Sequence, residues 1–162
     1  MITVKEYPAN RKHFVRLKEF CKEILGICEE TGVIPIAYGS LAFFGYTRDK
    51  NVIIHDIDLL VPESSLGKIR KLLQKRKIKY SYRASWHGIK VFKNSLVIEL
   101  DAAGFWQKGI PKSFKYFNFS GLTVRTLNIG SLKKIYKRAA RISHERPEKS
   151  REKFEILEKL KP

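Results

Sequence analysis

The spacing of apolar residues along the chain predicts helices separated by short strands. Over residues 10–32, apolar side chains recur every three or four positions, which is the period of an amphipathic helix, and Gly32 supplies a stop. A second amphipathic pattern covers residues 63–77, with leucine and isoleucine on one side and lysine and arginine on the other. The sequence therefore predicts two helices that each bury one face.

Shorter apolar or alternating runs predict strands and a further set of helices. The predicted strands cover residues 34–38, residues 52–61, three segments within residues 78–102, and a hairpin of residues 114–119 and 122–126. The further helices cover residues 41–46, 129–143 and 147–160, and Pro147 suits a first helical turn. This order does not alternate strictly between strand and helix, so it indicates a mixed-sheet α+β fold.

The length of 162 residues fits one principal domain with a small addition. We expect a domain over residues 1–127 and a helical appendage over residues 128–162 that packs on it. Residues 52–61 are apolar except for His55, Asp56 and Asp58. Acids that interrupt an apolar strand in this way are candidates for a function.

Two such acids are Asp56 and Asp58, in the run His55-Asp56-Ile57-Asp58-Leu59. Alternate side chains of a strand share a face, so the pattern places both carboxylates side by side. Like charges at this distance are costly to desolvate and favour a cation between them. Carboxylate oxygens suit Mg²⁺ or Mn²⁺. Taken alone, the tripeptide also fits a solvated strand end paired with lysine or arginine.

The pair Gly39-Ser40 lies at a predicted junction between a strand and a helix. A glycine there lets a phosphate approach the backbone, and free N–H groups at the start of the helix bind anions. The Ser40 hydroxyl adds a hydrogen bond. A third acid is expected for two-metal phosphoryl transfer. Asp101, at the end of the strand, is preferred for this role, and Glu99 on the same strand face is the alternative.

In this order, Gly39-Ser40, Asp56-Ile57-Asp58 and a later strand ending in Asp101 resemble the polymerase-β-type nucleotidyltransferase superfamily. Thr47-Arg48 followed by the His55 segment is similar to the aminoglycoside and lincosamide nucleotidyltransferase branch, with a longer spacer. The resemblance implies a nucleotidyltransferase-like mixed sheet flanked by helices.

It further implies an NTP substrate, and Mg²⁺ or Mn²⁺ held by Asp56, Asp58 and Asp101 as catalytic and metal-binding residues. Gly39, Ser40 and Arg48 would contact phosphate. An NMP group would move to a hydroxyl of an acceptor that the sequence does not identify.

The formal net charge of +17 adds an expectation about partners. Such a field attracts anions, and a dense basic cluster in the last two helices favours RNA or an acidic protein: Lys133, Lys134, Lys137, Arg138, Arg141, Arg146, Lys149, Arg151 and Lys153. The alternative function is therefore an inactive binding protein on the same scaffold, either an antitoxin-like partner or a basic RNA-binding module. The apolar runs are too short to span a bilayer and the first residues lack a signal-peptide pattern, so we expect a cytoplasmic protein without membrane insertion.

Overall fold

The protein is described by a computed structural model that covers residues 1–84, 87–106, 113–142 and 146–160, without the side chains of Phe105 and Trp106. Eight strands form one mixed sheet in the order β1-β7-β8-β2-β3-β6-β5-β4. The strands are β1 (Ile2–Val4), β2 (Ile36–Tyr38), β3 (Ile57–Val61), β4 (Lys79–Arg83), β5 (Gly88–Lys93), β6 (Leu96–Ala102), β7 (Phe114–Phe119) and β8 (Leu122–Leu127).

Helices pack on both faces of this sheet. They are α1 (Arg11–Glu30), α2 (Gly39–Thr47), α3 (Leu66–Lys75), α4 (Ala103–Trp106), α5 (Ile129–Ile142) and α6 (Pro147–Glu158), and a short 3₁₀ turn, Glu63–Ser65, precedes α3. The mixed α+β architecture that the sequence predicts is confirmed.

The two faces of the sheet belong to two hydrophobic clusters. On one face, Ile57, Leu59 and Val61 of β3 are buried against residues of α1 and α3. On the other face, Tyr38 and Leu60 pack with buried residues of α5 and with Leu157 of α6. Since side chains alternate along a strand, the face of Leu60 is also the face of Asp58. The acids therefore point towards the side on which the last two helices pack.

The predicted strand over residues 52–61 is wrong in its first half, because regular structure begins only at Ile57. The preceding segment is held by a side chain instead of a neighbouring strand. The Asn10 amide donates to the Ile54 carbonyl at 2.7 Å and accepts from the Ile54 N–H at 3.1 Å. The Ala9 N–H also donates to the Val52 carbonyl at 2.8 Å. These bonds satisfy the backbone without a sheet ladder.

Most other predicted elements are confirmed, with boundaries shifted by a few residues. Ser120 and Gly121 both have positive φ, 48° and 101°, as the tight turn between β7 and β8 requires. Strand β1 was not predicted, because three residues give no usable period, and it pairs in parallel with β7. In the part of the chain that the structure describes, no helix is long and apolar enough to cross a membrane.

Candidate active site

The junction between β2 and α2 is shaped by Gly39. Its φ is +64°, in the left-handed region that favours glycine. A Cβ atom added there would overlap the Asp58 carboxylate and lie 3.1 Å from its Cγ atom. The missing side chain thus makes the space that Asp58 occupies, and the acid lies directly against the backbone of the junction.

Asp56 and Asp58 flank Ile57 at the start of β3. Ile57 is fully buried on the opposite face, whereas both acids are half-buried. The neighbouring strand β6 runs parallel and places Glu99 directly opposite Asp58. One carboxylate oxygen from each of Asp56, Asp58 and Glu99 lies within 4.8 Å of the others. We call these three residues the carboxylate cluster.

Asp101 is on the same face of β6 as Glu99, two residues further along the strand, and lies opposite Leu60. It is 8% exposed, and its Oδ2 accepts a hydrogen bond of 2.5 Å from the Tyr38 hydroxyl. Among the described residues, the group arranged to hold an ion contains Glu99 and does not contain Asp101. The geometry favours the alternative third acid that the sequence left open.

Burial dominates the electrostatics of the two aspartates. It raises the pKa of Asp58 well above its usual range, and the neighbouring charges of Asp56 and Glu99 raise this pKa further. Burial likewise raises the pKa of Asp56, and Glu99 adds to the shift while Lys90 opposes it. Both shifts show that concentrated negative charge is costly here without a cation.

Glu99 differs, because it has a cationic neighbour. Burial alone would raise its pKa, but a hydrogen bond with Asp58 and the contact with Lys90 outweigh burial, so the pKa is lowered. The Lys90 Nζ atom lies 3.1 Å from Glu99 Oε1. Glu99 is thus the acid of the cluster that stays ionised most readily.

Asp101 makes the stability of the metal-free protein depend on pH. Burial raises its pKa to about 7, against about 3.9 for an ordinary aspartate. Because its pKa is higher in the folded state, this contribution to stability is full below about pH 4 and is lost as the pH rises through about 7.

We therefore expect Asp101→Asn to reduce the fall in melting temperature between about pH 5 and pH 8, measured in EDTA. Glu19→Gln removes an exposed carboxylate on α1 and serves as the control. An equal fall in melting temperature for wild type and Asp101→Asn would show that Asp101 is not the source of this pH dependence.

A half-buried cation, Lys153, reaches the site from the last helix. The Lys153 Nζ atom donates to the Ser40 hydroxyl oxygen at 3.2 Å, and it lies 5.5 Å from the ring centroids of Phe43 and Tyr136. Burial lowers the pKa of Lys153, and the charges of Asp58 and Asp56 oppose this. The ammonium group thus lies at the Gly39-Ser40 junction, close enough to Asp58 and Asp56 for their charges to act on it.

Next to this lysine lies a cavity of about 420 Å³. Its polar lining combines cations with hydroxyl, amide and imidazole groups: Ser40, Asn51, His55, Arg146, Lys149, Ser150 and Lys153. Its apolar lining is formed by Phe43, Val52, Ile53 and Tyr136. A basic wall beside an aromatic one suits an anion that carries a flat ring.

Some sequence expectations lie elsewhere in the fold. Arg48 is exposed and caps the C-terminal end of α2, about 12 Å along the helix axis from Ser40 at 1.5 Å per residue, so the structure does not bring it to the cluster. From the sequence, Trp86, Phe105, Trp106 and Tyr116 are also candidates for stacking on a base or an acceptor. Trp86 and the side chains of Phe105 and Trp106 lie outside the described residues.

Lys153 and Lys90 were not identified as site residues from the sequence. Lys153 belongs to the basic cluster of the last helices, and its helical pattern does not distinguish it from its solvated neighbours. Lys90 could have been found only from the pairing register of β5 with β6, which places it opposite Glu99.

The fold is that of the polymerase-β-type nucleotidyltransferases, as the sequence resemblance implies. The antibiotic-resistance factor ANT(2'')-Ia aligns with a TM-score of 0.62 and 15% identity over 88% of this chain and 89% of its own.

Two further proteins share the fold. A candidate nucleotidyltransferase from Thermotoga maritima aligns with a TM-score of 0.59 and 17% identity, over 96% of this chain and 98% of its own. The Megavirus polyadenylate synthase aligns with a TM-score of 0.55 and 13% identity, over 90% of this chain and 31% of its own. Comparison of the sequence with protein families and with curated proteins finds no match.

Proposed function

We propose that the chain is a metal-dependent nucleotidyltransferase, which moves an NMP group from an NTP to a hydroxyl of an acceptor. The observation that carries this proposal is the carboxylate cluster, with three acids from two neighbouring strands meeting beside a glycine that leaves room for one of them. A candidate nucleotidyltransferase and a polyadenylate synthase share the fold, which supports the same class of reaction.

The cluster fits a divalent cation. All three side chains offer carboxylate oxygens, the ligands preferred by Mg²⁺ and Mn²⁺, and the raised pKa of Asp58 marks negative charge that the neighbouring residues leave partly uncompensated. When bound, the ion would neutralise phosphate charge and polarise the phosphoryl group that is transferred. Asp56, Asp58 and Glu99 are the proposed ligands.

The remaining groups have roles that follow from their positions. Ser40 and Lys153 line the cavity next to the Gly39-Ser40 junction, and their hydroxyl and ammonium groups would bind the triphosphate. Arg146 and Lys149 would attract the nucleotide into the adjacent cavity. Because phosphoryl transfer requires mainly positioning and charge neutralisation, these contacts can supply much of the catalysis.

In the reaction, the acceptor oxygen forms a bond to the α-phosphorus. The bond from this phosphorus to the oxygen bridging the β-phosphate breaks, and pyrophosphate leaves. The proton of the acceptor hydroxyl passes to a carboxylate and then to water.

Nucleotide titration tests the proposal. We expect the wild-type protein to bind an NTP at least about tenfold more tightly with Mg²⁺ than in EDTA, and Asp58→Asn to lose this difference, since one ligand of the ion is removed. Isothermal titration calorimetry with each of the four NTPs measures the effect.

Glu19→Gln, which removes an exposed carboxylate on the opposite face of the sheet, is the control and should keep the metal dependence. Equal NTP binding by wild type and Asp58→Asn would show that the cluster does not hold a metal. In that case, the alternative of a binding protein on the same scaffold would gain support.

A further inference from the structure

Beyond the carboxylate cluster, the sheet continues through β5 to the edge strand β4, and this part carries positive charge. Ser81 of β4 lies opposite Lys90 of β5, and Lys90 lies opposite Glu99. Residues directly opposite each other on neighbouring strands share a face. Lys79 and Arg83, two positions on either side of Ser81, therefore lie on the same face as the cluster.

This surface is open at the edge and deeper near the acids. Lys79 and Arg83 are exposed, whereas the side chains of Lys90 and Glu99 are only 24% and 21% exposed. Arg83 is still close enough for its charge to lower the pKa of Glu99. The basic residues thus extend from the exposed edge of the sheet to the less exposed carboxylate cluster.

An aromatic ring lies on the same face of the sheet, among these basic residues. Phe92 is half-buried on β5 directly opposite Lys79, and the Lys79 Nζ atom is 5.9 Å from the centroid of the ring. Cations alternating with an aromatic face are the combination that binds single-stranded nucleic acid, through phosphates and stacked bases. We call Lys79, Arg83, Lys90 and Phe92 the edge surface.

The edge surface and the nucleotide cavity lie on opposite sides of the cluster. The cavity is next to Ser40 and Lys153 on the side of β2 and α2, and the edge surface is on the side of β5 and β4. In phosphoryl transfer, the attacking and leaving oxygens are roughly in line. An acceptor that attacks from the edge surface would therefore face a pyrophosphate leaving towards the cavity.

The length and charge of the edge surface restrict the acceptor. Lys79 and Arg83 are four residues apart, or about 13 Å along a strand, which is too far for one small anion to reach both. A polycationic acceptor, such as an aminoglycoside, would be repelled. The net charge of +17 acts in the same direction, because it attracts polyanions at long range.

We infer that the acceptor is the 3′ hydroxyl of a single-stranded nucleic acid, whose backbone phosphates lie along the edge surface. This inference rests on the proposed nucleotidyltransferase function and names its substrate class. The 3′ oxygen attacks the α-phosphorus of the NTP, the strand becomes one nucleotide longer, and pyrophosphate is released. Lys79 and Arg83 bind phosphates of the strand, and Phe92 stacks on a base near its end.

The test compares two pairs of substitutions that remove the same charge. Lys79→Gln with Arg83→Gln alters the edge surface, whereas Lys71→Gln with Lys75→Gln removes two exposed cations from α3 on the opposite face of the sheet. Each protein is incubated with Mg²⁺, one NTP and a labelled single-stranded RNA, and in parallel with DNA of the same sequence. Gel electrophoresis measures the elongated product.

We expect the edge pair to lower the rate of elongation about tenfold or more. For the edge pair, the slope of log affinity for the nucleic-acid strand against log salt concentration should become shallower by about 1.4. Each lost phosphate contact to a single strand contributes about 0.7 to this slope. The pair on α3 should change the rate less than about twofold. The RNA and DNA reactions then distinguish which of the two strands is the substrate.

An equal loss for the two pairs would overturn the inference, because general attraction would then explain it. Elongation unaffected by the edge pair would overturn it as well, as would labelling of a protein or small molecule while no strand is extended. Metal-dependent NTP binding by the wild type, measured separately, identifies which claim fails. If that binding is present and no strand is extended, the acceptor class alone is wrong; if it is absent, the proposed function fails first.

Discussion

Replacing Gly39 by alanine is expected to lower nucleotide transfer by about 100-fold, the loss that a displacement of about 1 Å in a reacting group can cause. The added Cβ would overlap the Asp58 carboxylate, so this acid would have to leave its place in the carboxylate cluster. The backbone also contributes, because alanine at a φ of +64° is strained by about 1 kcal/mol.

Gly32→Ala separates these two causes. Gly32 has a similar φ of +79°, but an added Cβ would have no atom within 4 Å. Both variants should lose about 1 kcal/mol of unfolding free energy in urea titrations, and only Gly39→Ala should lose Mg²⁺-dependent NTP binding. If Gly39→Ala keeps the wild-type affinity for NTP in Mg²⁺, the close approach of Asp58 to this junction has no functional role.

Glu99→Gln is expected to lower the turnover number by about 100-fold or more, as for removal of a charged group that acts in the transition state. The amide keeps the size of the side chain but removes its negative charge, so the cluster would hold only two carboxylates. Asp101→Asn should cost only about tenfold, at the low end of the loss of roughly 10- to 100-fold that follows removal of a group outside the first set of ligands. Its amide oxygen can still accept the hydrogen bond from Tyr38.

Steady-state kinetics with saturating Mg²⁺ distinguishes the two acids, and circular dichroism confirms that both variants fold. The reverse order of losses would return Asp101 to the role of third ligand. The same measurements at several Mg²⁺ concentrations give a second criterion, since only the loss of a ligand should raise the concentration of Mg²⁺ needed for half-maximal rate.

The sequence could predict the fold and the placement of Asp56 and Asp58 side by side, because the signals for both are local. Alternation around Ile57 places Asp56 and Asp58 on one face, whatever lies on the neighbouring strand. The choice between Glu99 and Asp101 is different, because both occupy the same face of one strand. Only the register of β6 against β3, which puts Glu99 opposite Asp58, separates them, and no periodicity within a single segment contains that register.

The structure of the segment before Asp56 and the position of Lys153 also could not be predicted, because both depend on contacts between residues distant in sequence. Val52 to Ile54 is apolar, so its pattern fits a strand, but the Asn10 side chain takes the hydrogen bonds that a neighbouring strand would make. Lys153 is 113 residues away from Ser40 along the chain, and nothing in the pattern of α6 indicates their contact. Both features depend on pairs of residues that are distant in sequence.

The hydrogen bond from Lys153 to Ser40 also bears on how the chain tolerates shortening. This lysine is a tethered counterion. Helix α6 brings its positive charge close to Asp58 and Asp56, whose negative charges would otherwise be poorly neutralised in a partly buried site. A truncation before Pro147 would keep every described strand and the three acids in the chain, but would remove that ammonium group and one wall of the cavity. Helix α6 is thus a working part of the charge balance of the site, and cannot be trimmed as a dispensable tail.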